Sequence, residues 1–300
     1  LGGTAGTYEY TPYVDATNAQ RTSDNNHGCH VAGTACGNKN GWARDATIYN
    51  LSPYSSAPTA INAYDLFNYI KEFHNNKPVN PQTGIKNPTI VNCSYGFGNE
   101  VQVSSVTRVV FNGSVNDGPF TVTQLRNFGI QCYTVNGVEY AYFPARSASI
   151  DNDVVDCINN GIIIVGAAGN EYAKIASSSN LTEFNSYAVV GGLNYYYQRG
   201  SSPSAADRAI CVGALDANTQ EFKAQFSNCG PRVDVFAPGK NIMSSVNSGG
   251  TTYDSRDYTF LLKKLNGTSM ASPQVTGMLA CALETYPYFN QIQILAYLLD

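Results

Sequence analysis

Residues 150–171 read IDNDVVDCINNGIIIVGAAGNE, and this stretch decides the fold. Ile150, Val154, Val155 and Ile158 recur at helical spacing and form one apolar face, and Gly161 supplies the residue type that ends a helix in the left-handed conformation. Residues 162–165 follow with no polar alternation at all. A strand that is apolar at every position is covered on both faces, as in a parallel sheet with crossover helices above and below.

The same rhythm extends in both directions. Towards the N-terminus, residues 27–37 (HGCHVAGTACG) suit a buried helix of small residues, 46–51 read as a strand, 60–73 as a helix, and 89–93 as a short apolar strand. Towards the C-terminus, 209–215 and 233–237 read as strands, 270–283 as a long apolar helix and 290–299 as the start of another. Two stretches break the rhythm. Residues 97–147 alternate β-branched and polar side chains around Asn112-Gly113, Asp117-Gly118 and Asn136-Gly137, which predicts a β-rich insertion. Residues 171–208 are rich in Tyr and Ser and carry little periodicity. The expected fold class is α/β: three layers, α/β/α, around a mainly parallel central sheet. One domain over 1–300 carries the insertion at 97–147, and ligand sites are expected at the C-terminal strand ends.

Composition narrows the function. Three hundred residues with 43% hydrophobic side chains suffice for a full core, since a chain of this size removes roughly 75% of its unfolded surface from water. Only 13% of residues are charged and the net charge is −4, which leaves no basic footprint for nucleic acid or an anionic membrane. The longest apolar run, 161–168, has the length of a buried strand and falls short of the roughly 18 residues of a membrane span. Eight cysteines are dispersed, with no CxxC and no His/Cys zinc spacing, so no metal ligand is assigned. Cys29, Cys36, Cys93, Cys157 and Cys281 read as buried free thiols.

Three segments carry chemistry. In residues 266–273, NGTSMASP, Asn-Gly gives a sharp turn and the small residues let a helix begin at once, with Pro273 expected in its first turn. Ser269 then sits at a helix N-terminus, where its own N–H and the helix dipole face any negative charge on a reacting oxygen. A serine hydroxyl needs a base, and two of the three histidines, His27 and His30, lie in HGCHVAGT. His27 is the candidate base; His30 reads as a structural, hydrogen-bonded histidine and His74 as a solvated one. In GAAGNE, Asn170 closes the most apolar strand and offers an amide donor.

In this order, HGCHVAGT, AAGNE and NGTSMASPQVTG resemble the histidine, oxyanion-asparagine and serine segments of the subtilisin-like serine proteases, the subtilases. AICVGALD and FSNCGPRVDVFAPG resemble further family segments, so the likeness runs from about Asp24 to the end, interrupted near 97–147 and 172–208. The resemblance implies a serine endopeptidase with Ser269 as nucleophile, His27 as general base and acid, and Asn170, supported by Thr268, as oxyanion donor. It implies that Ser94, Tyr95 and Gly96 form the edge along which an extended peptide lies. Ala167, Ala168 and Gly169 would form the opposite wall of a pocket that Phe97 narrows, and Glu171 at its mouth would admit a basic side chain. Protein or peptide substrates follow. Many members bind a structural calcium, yet no acidic loop here matches a calcium motif, and no other cofactor is assignable.

One part of the pattern is not evident. The family's aspartate precedes its histidine on a strand, whereas the 26 residues before His27 offer only Asp15 and Asp24, neither in such a setting. The expected source of that carboxylate is an N-terminal segment of the same precursor. A rival function is a catalytically silent subtilase-like domain that binds peptides or serves in an assembly. Chymotrypsin-like enzymes are β-barrels, and α/β-hydrolases need Gly-x-Ser-x-Gly, which residues 267–271 (GTSMA) do not supply.

Overall fold

The structure, a computed structural model, describes residues 25–51, 64–217, 220–247, 252–255 and 257–300. Asp15, Asp24 and the first residues of the helix expected from 60 lie outside them.

Helices α1 (Asn25–Cys36) and α2 (Leu66–Asn76) precede strand β1 (Ile90–Cys93). The chain then makes β2 (Phe97–Gln102), β3 (Val106–Phe111), β4 (Ser114–Asp117), α3 (Val122–Asn127), β5 (Gln131–Val135) and β6 (Val138–Ala145). After α4 (Ala148–Asn159) and β7 (Ile163–Ala167) come α5 (Leu181–Phe184), β8 (Tyr187–Val190), β9 (Leu193–Tyr195), β10 (Ile210–Leu215) and β11 (Val235–Pro238). The last elements are β12 (Ile242–Val246), β13 (Thr252–Asp254), β14 (Asp257–Leu265), α6 (Thr268–Thr285) and α7 (Gln291–Leu299).

Strands β1, β7, β10 and β11 form a parallel sheet in that order, with Cys93 beside Gly166 and Val165 beside Ile210. Side chains around β7 alternate between two cores. Ile162 and Ile164 join Leu66, Phe67 and Ile70 of α2 and Ile150, Val154 and Cys157 of α4. Ile163 and Val165 join Val212 of β10, Ala271, Val275 and Leu279 of α6 and Ile294 of α7. A polar residue anywhere in this run would face an apolar layer, whereas each isoleucine buried there contributes about 1.5–3 kcal/mol. The architecture is the expected three-layer α/β/α. Gly161 ends α4 at φ 84°, as its position predicts. Where β7 extends beyond the start of β10, Gln291 completes the ladder: Ile164 N donates to its Oε1 at 2.9 Å, and its Nε2 donates to Ile164 O at 3.0 Å.

The β-rich stretch forms antiparallel sheets β2-β6-β5 and β4-β3-β8-β9. Asn112-Gly113 and Asn136-Gly137 turn their hairpins with positive φ at both residues, as a two-residue type I′ turn requires. The second sheet draws two strands, β8 and β9, from residues 171–208, where little regular structure was expected. Both stretches share one core, in which Val109, Leu125, Ile130 and Phe143 pack with Ala188 and Tyr197. Short strands bonded to a distant segment carry too few residues to show a period of their own.

Two further expectations fail. Residues 46–51 form no strand, and an antiparallel sheet that was not expected, β12-β14-β13, packs beside α1. Cys29 and Cys281 are exposed and Cys36 is half-buried, because they stand on helix flanks that the small-residue contacts leave open; Cys93 and Cys157 are buried as expected, and all eight are free thiols. No described helix is long and apolar enough to cross a membrane.

Candidate active site

β1 and β7 are neighbours, so the segments after them, Ser94–Gly96 and Ala168–Asn170, leave the sheet side by side at its C-terminal edge. The N-terminus of α6 reaches the same rim through a backbone relay: Gly239 N donates to Leu215 O at 3.1 Å and Gly267 N donates to Gly239 O at 2.8 Å. Gly267 turns into the helix with φ 152° and ψ 158°, a conformation that glycine adopts without strain.

Ser269 is the second residue of α6, where an N–H has no carbonyl one turn back, so its amide is left for a ligand. Pro273 is the sixth residue rather than a first-turn residue, which corrects the sequence expectation. Lacking an N–H, it leaves the carbonyl of Ser269 without an intrahelical donor. Ser94 Oγ fills that vacancy, donating to Ser269 O at 2.9 Å. In return Ser269 Oγ donates to Ser94 O at 3.2 Å.

Asn170 is fixed by its acceptor end. Thr268 N donates to Asn170 Oδ1 at 2.8 Å and Thr268 Oγ1 donates to it at 3.0 Å. A backbone N–H can only donate, so this atom must be the oxygen and the amide nitrogen must be the other end. Nδ2 lies beside Gly267, 3.7 Å from where a Cβ on that residue would stand, and Asn170 is exposed. Thr268 Oγ1 also accepts from Gly169 N at 3.1 Å, so one buried threonine sets both the loop and its asparagine.

Helix α1 carries His27 near its start and packs against α6. A Cβ on Gly277 would come within 2.5 Å of Ala35 O, so the helices touch backbone to side at a point where only glycine fits. Cys36 and Cys281 follow that contact on each helix and lie close enough for the thiol of Cys281 to help raise the pKa of Cys36 after burial has done so. His27 precedes Ala35 by eight residues and Ser269 precedes Gly277 by eight, about 12 Å of rise in each. No hydrogen bond joins His27 to Ser269; the hydroxyl is turned to Ser94. His27 is an exposed residue whose ring still loses enough water to pull its pKa below the ordinary 6.5 by desolvation.

His30 is fully buried, with Nε2 2.9 Å from Ile242 O and 3.0 Å from Lys263 O. Two carbonyl partners require that Nε2 carry the proton, so His30 fastens α1 to the β12-β14 sheet. His74, expected to be solvated, is half-buried with Nδ1 2.8 Å from Thr89 Oγ1; burial first, then Lys77 and Lys86, lower its pKa to about 4.

The proposed pocket walls are less open than their small residues suggest. Ala167 and Ala168 are buried, and Ala168 packs on Ile175 and Cys211. Gly96 and Tyr95 lie nearer the surface, with Tyr95 edge-on to Phe97 at 6.2 Å between centroids. Glu171 does not stand free at a mouth: Asn228 Nδ2 donates to its Oε2 and also to Ala168 O. Asn228 Oδ1 accepts from Glu171 N at 3.1 Å and Ala173 N at 2.8 Å, so this buried residue holds the whole 168–173 loop. Asn228→Ala is expected to cost about 3 kcal/mol of stability in urea unfolding, because three backbone groups, two of them on buried residues, lose their partner together.

The Subtilase family (peptidase S8) matches residues 4–300. The chain belongs to the subtilase family. Subtilisin DY of Bacillus licheniformis is 33% identical over 170 residues, covering 55% of this chain and 50% of that protein. An extracellular serine proteinase of Thermus sp. (strain Rt41A) is 29% identical over 216 residues, covering 70% and 43%. Cerevisin of Saccharomyces cerevisiae is 31% identical over 199 residues, covering 66% and 27%. The chain thus spans half or less of the length of these relatives. In fold, this subtilase is similar to a cold adapted subtilisin-like serine proteinase, with a TM-score of 0.51 at 22% identity, covering 91% of this chain and 66% of that one. Among the described residues no group of three or more His, Cys, Asp or Glu side chains could hold a metal ion.

Two residues of the rim escaped the sequence. Asn92 and Asn228 organise the segments around Ser269 and Asn170, and a polar residue within the apolar strand TIVNCS was the available signal for the first.

Proposed function

We propose that this subtilase cleaves peptide bonds by acyl transfer through Ser269, with His27 as general base and then acid. The observation that carries this reading is the pinning of Asn170 Oδ1 by Thr268, which leaves Nδ2 facing Gly267, the residue that the N–H of Ser269 also borders. A substrate carbonyl entering there meets two donors aimed at the oxygen that becomes negative as the tetrahedral intermediate forms. Ser269 Oγ attacks the carbonyl carbon, its proton passes to His27, and His27 returns it to the departing amine. Water repeats the sequence on the acyl-enzyme. Ser94 O now accepts from the serine hydroxyl, so productive binding requires Oγ to rotate towards His27 and frees Ser94 O for a backbone N–H of an extended peptide. Protein or peptide substrates fit this edge.

The decisive experiment is labelling with a peptidyl phosphonate. A single adduct on Ser269 is expected in the folded chain, and none forming while the fold is intact overturns the reading. The rival, a silent peptide-binding or assembly domain, draws on the same parked hydroxyl; it requires peptide binding without adduct.

The pH profile tests the base. Histidine accepts a proton only when neutral, so activity rises as pH passes upward through its pKa. Desolvation lowers that pKa, so the midpoint of the acid limb of kcat/KM is expected below the ordinary 6.5. A midpoint above 6.5 would show that a carboxylate, Asp15, Asp24 or one from a preceding segment, sits on the imidazolium and outweighs desolvation.

A further inference from the structure

The network that holds Ser269 begins in β1, two residues before Ser94. Asn92 lies in β1, half-buried, with each end of its amide engaged. Its Nδ2 donates to Ser94 Oγ at 2.9 Å, and its Oδ1 accepts from Ser272 Oγ at 2.8 Å and Thr276 Oγ1 at 3.0 Å on α6. Ser94 Oγ has one hydrogen, and it goes to Ser269 O. The chain is therefore polarised in one direction: Asn92 amide to Ser94 hydroxyl to Ser269 carbonyl. Each bond strengthens the next, in a site where Ser94 and Ser272 are buried.

This chain matters because of Pro273. An ordinary residue there would donate its N–H to Ser269 O and draw residue 269 into a regular turn. With proline, nothing in the helix defines the carbonyl, and the peptide plane carrying it also sets the N–H of Met270 and the direction of the Ser269 side chain. We propose that Ser94 Oγ replaces the hydrogen bond that Pro273 removes, and that Asn92 is a positioning residue that keeps Ser94 in that role. This rests on Ser269 being the nucleophile proposed above.

The test follows the saturated rate of Ser269 labelling by the peptidyl phosphonate, together with its half-saturating concentration, in a double-mutant cycle. Ser94→Ala is expected to lower the saturated rate about tenfold with little change in half-saturation, the effect of one lost hydrogen bond on an orientation. In a Pro273→Ala background, where residue 273 again has an N–H for Ser269 O, Ser94→Ala is expected to change the rate less than about twofold. Asn92→Asp preserves shape and keeps the acceptor for Ser272 and Thr276, but it takes the proton of Ser94 Oγ instead of donating to it. It is expected to slow labelling as Ser94→Ala does, which a purely space-filling role for Asn92 would not produce.

Equal losses from Ser94→Ala in both backgrounds, or a loss confined to half-saturation, overturn the positioning role while leaving the protease reading intact. If Ser94→Ala does not fold, Asn92→Asp decides, and wild-type labelling speed in that variant overturns it. No labelling of the wild-type chain overturns the protease reading and the positioning role with it.

Discussion

Ser269→Ala, in the protein supplied with its catalytic carboxylate, is expected to reduce peptide hydrolysis by about 10⁶-fold, the scale on which removal of the serine or histidine disables a subtilisin, carried over here from that relative. The fold should barely notice. Ser269 Oγ makes one hydrogen bond, to Ser94 O at 3.2 Å, and the side chain is half-buried, so its loss costs no more than about 1 kcal/mol in thermal unfolding. His27→Ala should lose a similar factor, since an unactivated serine attacks no faster than the background. The stronger test is the double variant. Nucleophile and base act on a single proton transfer, so once either is gone the other has nothing left to contribute, and His27→Ala with Ser269→Ala should be no slower than either alone. Losses that multiply would mean that the two side chains act independently, contrary to the proposed transfer of one proton between them.

What the sequence made legible was whatever is local. The run at 162–165 declared a sheet covered on both faces because every position meets an apolar layer, and the structure divides its side chains between the α2/α4 and α6/α7 cores. Gly161 and the two Asn-Gly turns were legible for the same reason, since each needs only its own φ. Ser269 stood out because a turn followed by small residues announces a helix nearby, and Asn170 because it follows an apolar strand. The polar staples were not. Asn92 Oδ1 binds a hydroxyl 180 positions away, and Asn228 holds a loop 57 positions away; no periodicity records such a pairing, and in isolation each reads as an ordinary asparagine. The β12-β14 sheet escaped likewise, because His30 and Ser244 join it to α1 across more than 200 residues. Pro273 was placed one turn too early because a motif fixes the order of residues without fixing where the helix starts.

Asn170→Ala is expected to lower kcat by about 10²–10³, or roughly 2.7–4 kcal/mol in the barrier, with KM little changed; this magnitude is the one found for a single oxyanion donor in a subtilisin. The argument for kcat rather than KM is electrostatic. A ground-state carbonyl oxygen carries a partial charge and sits short of the donor, whereas the tetrahedral oxyanion moves onto Nδ2, so the bond is made mainly in the transition state. Alanine also removes the acceptor for Thr268 N and Oγ1, which confounds the loss of a donor with a loosened loop. Asn170→Asp separates the two. A carboxylate keeps both Thr268 hydrogen bonds, now charge-assisted, while offering no donor and repelling the developing oxyanion. It should therefore unfold no more easily than wild type yet be at least as slow as Asn170→Ala. Thr268→Val provides the converse: Nδ2 stays but loses one of its anchors, and a loss of about tenfold, smaller than that of either Asn170 variant, is expected. Steady-state kinetics on one peptide substrate, read beside thermal unfolding, distinguishes these outcomes. An Asn170→Asp variant with wild-type kcat, or one whose whole deficit lies in KM, would remove Asn170 from the oxyanion site and leave Ser269 N–H at the start of α6 as the donor to account for.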